Sequence, residues 1–529
     1  MVVNDAVIGA PASARIPAVP RVLSIAGTDP TGGAGIQADL KSIAAAGGYG
    51  MSAVTALVAQ NTQGVREVHT PPVEFLRAQL TAVASDVTID AVKIGMLGSA
   101  AIVAEVSRFL AQLSDVPVVL DPVMVATSGD RLLDRDAEAA VRELCARATV
   151  VTPNLKELAV LTQTAEATTL EEAIAHATAW SADTRTTVIV KGGHLRGDLA
   201  DNAVVTPDGA VHRVSCPRVD TPHTHGTGCS LSSALATRLG AGASLSDALS
   251  WSTRWLHEAI SHAAALEVGQ GHGPVDHGHR ARRLAAAAST VPARFYSDVT
   301  STAAAPAPHV SAAGPETARL WELTGDAWQS ITQLPFIQAL GTGTLREEDF
   351  AFYLAQDAQY LNQYSKALAR LAALAPDAGA QLHWASGAAE CLAIEMSLHK
   401  DWIAHHTTTV PSTALTAPSR VTSAYTDFLV ATTHTDDYVV AAAAVLPCYW
   451  LYAEVGLHLA AQNSPEHPYN AWITQYGGEE FLTGVRAAIA LVEEALTAAD
   501  PATRSRATRA YLAACWHEVD FFDQADRRW

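Results

Sequence analysis

The sequence is poor in the features that mark secreted, zinc-binding or nucleic-acid-binding proteins. Its six cysteines have neither CxxC spacing nor the density of a disulfide framework, which indicates a reducing compartment. Acidic residues outnumber basic ones by 54 to 35, which gives a net charge of −19, and no basic patch interrupts this excess. We therefore expect neither nucleic acid nor an anionic membrane as a partner.

We expect no targeting or membrane-spanning segment from this sequence. The first 20 residues include Asp5 and lack the basic start and apolar run of a signal peptide, so we expect a disordered tail at 1–20 and a cytoplasmic protein. The longest apolar run, at 438–453, contains Pro447 and falls short of the ~20 residues that cross a bilayer. We interpret this run as a buried helix.

Lysine is scarce, with six in 529 residues, so a lysine inside a motif is informative. Lys191 stands at the end of a predicted strand, directly before two glycines. It could lie beside nucleotide phosphates, and a solvated surface lysine is the alternative.

What is present predicts two domains of different class. At 21–280, short β-branched runs alternate with helical patterns, which predicts an α/β domain with a mostly parallel sheet and helices on both faces. An Ala-, Pro- and Ser-rich stretch at 281–315 is typical of a flexible linker. At 316–529, amphipathic patterns follow one another, which predicts an all-helical bundle.

A glycine-rich turn at 222–229, PHTHGTGC, opens onto an apolar helical pattern. Such a turn directs several backbone N–H groups to one point at the positive end of a helix, so Gly226, Thr227 and Gly228 could hold a phosphoryl group during transfer. Cys229 follows directly, and a helix start lowers the pKa of a thiol, which would let it act as a base. The combination predicts a small-molecule kinase, and an inert core cysteine is the alternative.

Other polar residues of this half follow predicted strands, where open α/β sheets bind ligands. A second glycine-rich stretch at 27–35 precedes a helix that carries Asp39, and Gln60 ends a later strand. Asn154 and Glu157 lie one turn apart at a helix start. That spacing suits a magnesium–water site or, equally, a capping box.

In the helical half, Asp357 and Tyr360 share one face of a predicted helix. A carboxylate on an apolar, aromatic face needs a partner, and the amino group of an aminopyrimidine would supply one. Cys448 and Tyr452 lie four residues apart on another helix, and Tyr476 precedes a helix break. One such residue alone is more often part of a core, but several together favour a site.

Seven motifs in one order give the α/β half a family resemblance: GTDPTGGAGIQADLK, ALVAQNTQGV, KIGML, DPVM, TPNLKE, VKGGH and HTHGTGC. They resemble the hydroxymethylpyrimidine and phosphomethylpyrimidine kinases of thiamin biosynthesis, in the ribokinase superfamily. The resemblance implies transfer of phosphate from ATP, with Mg²⁺, to hydroxymethylpyrimidine and then to its monophosphate. A pyridoxal kinase is the alternative. The implied pyrimidine site comprises Ala34, Asp39, Val58, Gln60 and Met96, and the implied ATP and magnesium site comprises Asn154, Glu157 and Lys191, with Glu157 at the metal.

In the helical half, AQDAQYL, EMSLH at 395–399, LPCYWLY, WITQYGG and EVDFF resemble the TenA or thiaminase II family. The resemblance implies that Cys448 attacks the carbon attached to a pyrimidine ring, with Glu518 as acid and base. It implies no cofactor for this half. The implied pyrimidine contacts are Asp357 and Tyr476 at the polar edge and Tyr360 and Tyr452 against the ring.

Two points stay open for the helical half, and one for the whole chain. Ser423 stands where some members of the family have a pocket tyrosine, so the leaving group could belong to thiamin or to aminomethylpyrimidine. A noncatalytic regulatory module is the alternative to an enzyme. Related proteins of both kinds form homo-oligomers, so a homo-oligomer is expected by resemblance only.

Overall fold

The computed structural model describes residues 19–124, 137–288, 290, 299–394 and 417–527. The chain divides into two compact units, Met1–Ser289 and Thr290–Trp529. The first is an α/β unit and the second is helical, so the predicted fold classes are confirmed. Apart from Val19 and Pro20, the predicted N-terminal tail lies outside the described residues.

The first unit is built on an eight-stranded sheet and a smaller two-stranded one. The strands are β1 (Arg21–Ala26), β2 (Tyr49–Val54), β3 (Leu57–Asn61), β4 (Gly64–His69), β5 (Ala91–Ile94), β6 (Val118–Leu120), β7 (Val150–Val151), β8 (Thr187–Lys191), β9 (Asn202–Val205) and β10 (Val211–Val214). The large sheet has the order β10-β9-β8-β7-β6-β5-β1-β2. It is parallel from β2 to β8, and β9 and β10 add an antiparallel edge.

Helices cover both faces of the large sheet. They are α1 (Gly35–Ala45), α2 (Val73–Ala84), α3 (Ala100–Leu110), α4 (Ala137–Cys145), α5 (Leu155–Thr162), α6 (Leu170–Thr184), α7 (Thr227–Gly240), α8 (Leu245–Ser261) and α9 (His279–Ala287). Side chains alternate between two cores, because Leu23 and Ile25 of β1 pack with helices α2 to α6, whereas Val22 packs with α1, α7 and α8. Because the strands from β2 to β8 in the sheet order run parallel, their carboxyl ends meet at one edge of the sheet.

Strands with little apolar character were not predicted from the sequence. The short apolar run at 54–59 spans the end of β2 and the start of β3, with Thr55 N donating to Ala26 O between them (3.0 Å). β4 and β10 were not predicted, because both lie at exposed positions and carry charged residues in place of an apolar run.

The second unit is a bundle whose helices pack around one apolar core. They are α10 (Pro315–Leu323), α11 (Gly325–Gln333), α12 (Pro335–Thr342), α13 (Glu347–Leu374), α14 (Ala378–Ile394), α15 (Arg420–Thr435), α16 (Tyr438–Ala460), α17 (Asn470–Tyr476), α18 (Glu479–Ala498) and α19 (Pro501–Asp523). Within the described residues, α16 alone is long and apolar enough to cross a membrane, and 89% of its most apolar window is buried in the protein. This agrees with the buried helix predicted at 438–453.

The predicted flexible linker at 281–315 needs correction over much of its length. Helix α9 continues to Ala287, and residues 299–314 pack onto the helical unit. The buried carboxylate of Glu454 accepts hydrogen bonds from the backbone N–H groups of His309 (2.9 Å) and Val310 (2.7 Å), and the indole of Trp321 donates to Pro306 O (2.7 Å). This ordered structure could not be predicted from composition, because the side chains that bond to the segment, Glu454 and Trp321, lie outside it in the sequence.

Candidate active sites

A cavity of about 350 Å³ opens at the carboxyl edge of the sheet in the first unit. The loops that follow β1, β5, β6 and β7 reach it, together with the end of β8 and the start of α7. It brings together most of the predicted site residues: Ala34, Val58, Gln60, Met96, Asn154, Glu157, Lys191, Gly226, Thr227, Gly228 and Cys229.

Asp29 organises the first glycine-rich loop. Its fully buried carboxylate accepts hydrogen bonds from Gly33 N (3.1 Å), Ala34 N (2.8 Å) and His225 Nε2 (2.9 Å). Burial alone would raise the pKa of Asp29, but hydrogen bonds, led by that from His225, hold it well below its usual value. The carboxylate thus connects two loops that are distant in sequence, a role the sequence analysis did not assign although GTDP was among its motifs.

The two glycine-rich loops lie in direct contact at Gly226. This residue caps α7 with a φ of +80°, and a Cβ atom there would lie 1.7 Å from Gly33 O. Both observations require glycine. Because α7 begins at Thr227, the N–H groups of its first turn line the cavity, which is the arrangement that binds anions.

A cation and a carboxylate lie next to this helix start. Lys191 Nζ donates to Asp121 Oδ1 (3.1 Å), and both side chains are 3.4 Å from the position that a Cβ atom of Gly228 would occupy. Thr152 donates to the same carboxylate oxygen (3.2 Å). Asp121 belongs to the DPVM motif, but sequence analysis gave it no role because its partners come from later strands.

Asn154 and Glu157 form the capping box that was one of the two interpretations of their spacing. Asn154 N donates to Glu157 Oε2 (2.8 Å), and Glu157 N donates to Asn154 Oδ1 (2.9 Å). Both residues also line the cavity. Burial raises the pKa of Glu157 to about 7, opposed by Lys191 and assisted by Asp121.

Magnesium fits this part of the cavity as a partly protein-bound ion. Within the described residues, no group of three His, Cys, Asp or Glu side chains could enclose a metal. Mg²⁺ usually takes one or two carboxylates and completes its shell with water and phosphate oxygens. Glu157 and Asp121 are carboxylates of that kind, both in the cavity wall.

Cys229 lies in the first turn of α7. The backbone N–H of Gly35, at the start of α1, is close enough to favour its thiolate. The prediction of a lowered thiol pKa is nevertheless wrong. Burial raises the pKa of Cys229 to about 11, and the positive charge of Lys93 offsets this only in part because Asp39 and Asp121 are also near. A pKa in this range favours the thiol form at neutral pH in the protein without substrate, so only the thiolate fraction could act as a base.

Asp39 occupies a different place from the one expected. It is fully buried and is not part of the cavity wall, and it forms an ion pair with Lys93 Nζ (2.7 Å). Ser24 (2.6 Å) and Ser233 (2.8 Å) also donate to its carboxylate. Since Ser233 lies one helical turn after Cys229, this network supports the helix that carries the thiol and leaves Asp39 no free path to a substrate.

The helical unit holds a second cluster, centred on the fully buried carboxylate of Glu518. Tyr425 Oη donates to Glu518 Oε1 (2.6 Å), whereas Glu518 Oε2 accepts no hydrogen bond from the described residues. Burial raises the pKa of Glu518 to about 8, the Tyr425 hydrogen bond lowers it, and Asp357 adds to the rise. Glu518 can therefore hold or release a proton near neutral pH.

Cys448 lies close to this carboxylate. Burial raises the pKa of its thiol well above the usual value, the charge of Glu518 adds to the rise, and the hydroxyl of Tyr360 opposes it. With no cation among these causes, Glu518 is the group placed to accept the proton of Cys448.

Aromatic rings and one carboxylate surround the pair. The ring centroid of Tyr360 is 5.3 Å from that of Phe521, and Tyr452 lies 4.9 Å from Tyr476. Asp357 is 2% exposed and lies near both Tyr452 and Tyr476, whose hydroxyl pKa values it raises in addition to burial. All the residues predicted for the second site are thus brought together.

A tyrosine does contact the second site close to Ser423, at Tyr425. Ser423 is half-buried on α15, while Tyr425, two residues later, is fully buried and bonded to Glu518. Tyr425 lies outside the quoted motifs, so only its apolar spacing on α15 could have indicated it. The EMSLH motif at 395–399 lies outside the described residues.

The fold and sites define a two-part enzyme: a small-molecule kinase of the ribokinase type followed by a TenA-type unit. The phosphomethylpyrimidine kinase family matches residues 29–276, and the TENA/THI-4/PQQC family matches residues 323–528. The chain is 58% identical over 523 residues to the thiamine biosynthesis multifunctional protein ThiED of Corynebacterium glutamicum, across 97% of this chain and 68% of that protein. The chain belongs to this family of multifunctional thiamine-biosynthesis enzymes.

Two further relatives match the first unit alone. The hydroxymethylpyrimidine/phosphomethylpyrimidine kinase of Escherichia coli is 45% identical over 258 residues, which is 49% of this chain and 97% of that protein. A crystal structure of phosphomethylpyrimidine kinase from Clostridium difficile is 34% identical and covers 46% of this chain and 99% of its own, with a TM-score of 0.41.

Proposed function

We propose that the first unit transfers phosphate from ATP to hydroxymethylpyrimidine and then to the resulting monophosphate. The contact of the two glycine-rich loops beside Cys229 carries this proposal, because it places an anion-binding helix start next to a group that can take a proton. The pyrimidine would lie against Ala34, Val58, Gln60 and Met96. Asp39 would act indirectly, by accepting the hydrogen bond of Ser233 on α7.

The phosphates of ATP would lie between the start of α7 and the side chains of Lys191, Asn154 and Glu157. Mg²⁺, when bound there, neutralises phosphate oxygens, with Glu157 and Asp121 as its carboxylates. The N–H groups at Gly226, Thr227 and Gly228 stabilise charge on the transferred group. Cys229 acts from its thiolate form, which nearby Lys93 stabilises, and it becomes a thiol when it takes the proton of the attacking hydroxyl.

Replacement of Cys229 by alanine tests the kinase assignment. A general base contributes about 10²- to 10⁴-fold, so we expect kcat for phosphorylation of hydroxymethylpyrimidine to fall within that range. Cys145→Ala is the matched control, because Cys145 is a buried cysteine of the same unit outside the cavity. Full activity in Cys229→Ala would exclude the thiol as the base, and competition between hydroxymethylpyrimidine and pyridoxal would decide between the two kinase activities.

We propose that the helical unit releases hydroxymethylpyrimidine from aminomethylpyrimidine or thiamin by hydrolysis. The buried Glu518 Oε2 beside Cys448, which accepts no hydrogen bond from the part of the chain that the structure describes, carries this proposal, since a buried carboxylate oxygen without a partner is costly unless a ligand or proton occupies it. Cys448 attacks the exocyclic carbon after passing its proton to Glu518, and Glu518 returns that proton to the departing amine. Glu518 then activates the water that frees the alcohol from sulfur.

The two activities are tested together by giving the full chain aminomethylpyrimidine and Mg-ATP and identifying the products by mass spectrometry. We expect the wild-type chain to form the pyrimidine diphosphate and Cys229→Ala to accumulate the alcohol. Cys448→Ala should leave the amine unchanged yet phosphorylate added alcohol. Ammonia release by Cys448→Ala at the wild-type rate would contradict the catalytic assignment and favour a regulatory helical unit.

A further inference from the structure

The guanidinium group of Arg218 holds four backbone carbonyls of one loop. Nε donates to Gly197 O (2.7 Å), Nη1 to Gly193 O (2.6 Å), and Nη2 to Leu195 O (2.7 Å) and Leu199 O (2.8 Å). A guanidinium has five N–H donors in a planar fork, so four of them serve this single loop.

The loop and the segment that carries Arg218 are also joined through their backbones. Arg218 N donates to Asp198 O (2.7 Å), and Ala200 N donates to Cys216 O (2.7 Å). Leu199 and Pro217 form an antiparallel bridge between these two contacts. The loop at 193–200 thus has two independent attachments, and Arg218 supplies the one made by a side chain.

Both parts of this assembly face the cavity. Gly193, His194 and Ala200 of the loop and Cys216 and Arg218 of the segment are in its wall. The loop begins where Lys191 ends β8, through a 3-10 turn at Gly192–His194. The assembly therefore continues the part of the cavity wall that carries Lys191.

We propose that Arg218 is a positioning residue for the nucleotide: its guanidinium group holds the loop at 193–200 in the shape that binds ATP. The pyrimidine site does not depend on this residue. This inference rests on the proposed kinase function, which assigns the Lys191 side of the cavity to ATP. The planar fork is what the role requires. The ammonium group of a lysine at this position would attract phosphate but could not donate to four carbonyls at once.

Steady-state phosphorylation by the full chain separates this role from charge attraction and from general stability. Because hydrogen bonds from a charged group are each worth about 1.5 kcal/mol or more, we expect Arg218→Met to raise the KM for ATP by about tenfold or more. The KM for hydroxymethylpyrimidine and kcat at saturating ATP should stay near wild type, the pattern of lost ground-state binding. Arg218→Lys should resemble Arg218→Met. Arg213→Met is the control, because Arg213 is exposed on β10 and pairs with Glu171 outside the cavity.

Three outcomes would overturn the inference: an unchanged KM for ATP in Arg218→Met, a normal KM in Arg218→Lys, or equal increases in both KM values. If Arg218→Met does not fold, calorimetric titration of folded Arg218→Lys with ADP gives the same decision. A wild-type chain that transfers no phosphate would contradict the proposed function itself, whereas an active wild type with unchanged variants contradicts only the role of Arg218.

Discussion

At the scale of single residues, opposing effects of the surroundings set the proton affinity of Glu518. Burial raises its pKa to about 8, and the hydrogen bond from Tyr425 works in the other direction. Both forms are therefore populated near neutral pH: the carboxylate accepts the proton of Cys448, and the acid that results protonates the leaving amine. Such a balance lets one carboxyl group serve as acid and base near neutral pH.

Removal of the Tyr425 hydroxyl tests this balance. Because the hydrogen bond favours the carboxylate, Tyr425→Phe should move the inflection in kcat/KM for amine release from near pH 8 to higher pH, by roughly one unit. Tyr364→Phe is the control, since Tyr364 is a buried tyrosine of the same cluster whose hydroxyl bonds to Val445 O. An inflection that stays in place in Tyr425→Phe would show that another group is titrating.

The same shift has a consequence for stability. The folded pKa of Glu518 lies above its unfolded value, so its contribution to stability is fully present below the unfolded pKa and is lost as pH rises through about 8. Glu518→Gln removes the charge. We expect the variant to raise the melting temperature of the helical unit at pH 9 relative to wild type, with a smaller difference at pH 5, as measured by calorimetry.

At the scale of elements, the start of α7 depends on a glycine for two separate reasons. Gly226 has a φ of +80° and lies against Gly33 O, so both backbone strain and a clash oppose any side chain. Gly209 shares the first property without the second, because its φ is +84° and nothing lies within 4 Å of its added Cβ.

This pair of glycines allows strain and contact to be measured apart. Gly226→Ala should abolish phosphorylation, because its methyl group would force the two glycine-rich loops apart, and should leave amine release intact. Gly209→Ala should lose about 1 kcal/mol of stability from strain alone and keep its kinase activity. Equal kinase rates in the two variants would mean that the loop contact has no catalytic importance.

The elements also indicate where sequence reasoning succeeds and where it stops. The long helix α13, Glu347–Leu374, lies where amphipathic patterns predicted a helical bundle, because a long apolar stripe is a strong helix signal. Motifs after strands were placed correctly at one sheet edge because parallel strands align their carboxyl ends. In contrast, the role of Asp39 was misassigned because Lys93 and Ser233, its partners, are far away in sequence. The pKa of Cys229 was predicted in the wrong direction because burial is a property of the assembled fold.

At the scale of the whole molecule, the boundary of the helical unit lies earlier than composition suggests. Residues 299–314 give the buried Glu454 its hydrogen bonds from His309 and Val310, and Trp450 donates to Val310 O (3.1 Å). The Ala- and Pro-rich stretch thus forms part of the packed structure of this unit.

Two fragments test that boundary. One that begins at residue 299 and keeps the rest of the chain should fold, whereas one that begins at 315 should lose about 3 kcal/mol or more, because it removes the hydrogen bonds that Glu454 accepts from the backbone of His309 and Val310. Urea unfolding followed by circular dichroism measures the difference. His309→Ala in the longer fragment should lose much less, since its side chain is 51% exposed and the backbone donors remain. Equal stability of the two fragments would restore the linker interpretation.

The hydrogen bond between Asp29 and His225 joins positions 196 residues apart. Together with the contact of Gly226 and Gly33, it makes the shape of each glycine-rich segment depend on the other. A chimera that joins the first segment of one kinase to the second segment of another would therefore place this interface between unmatched halves.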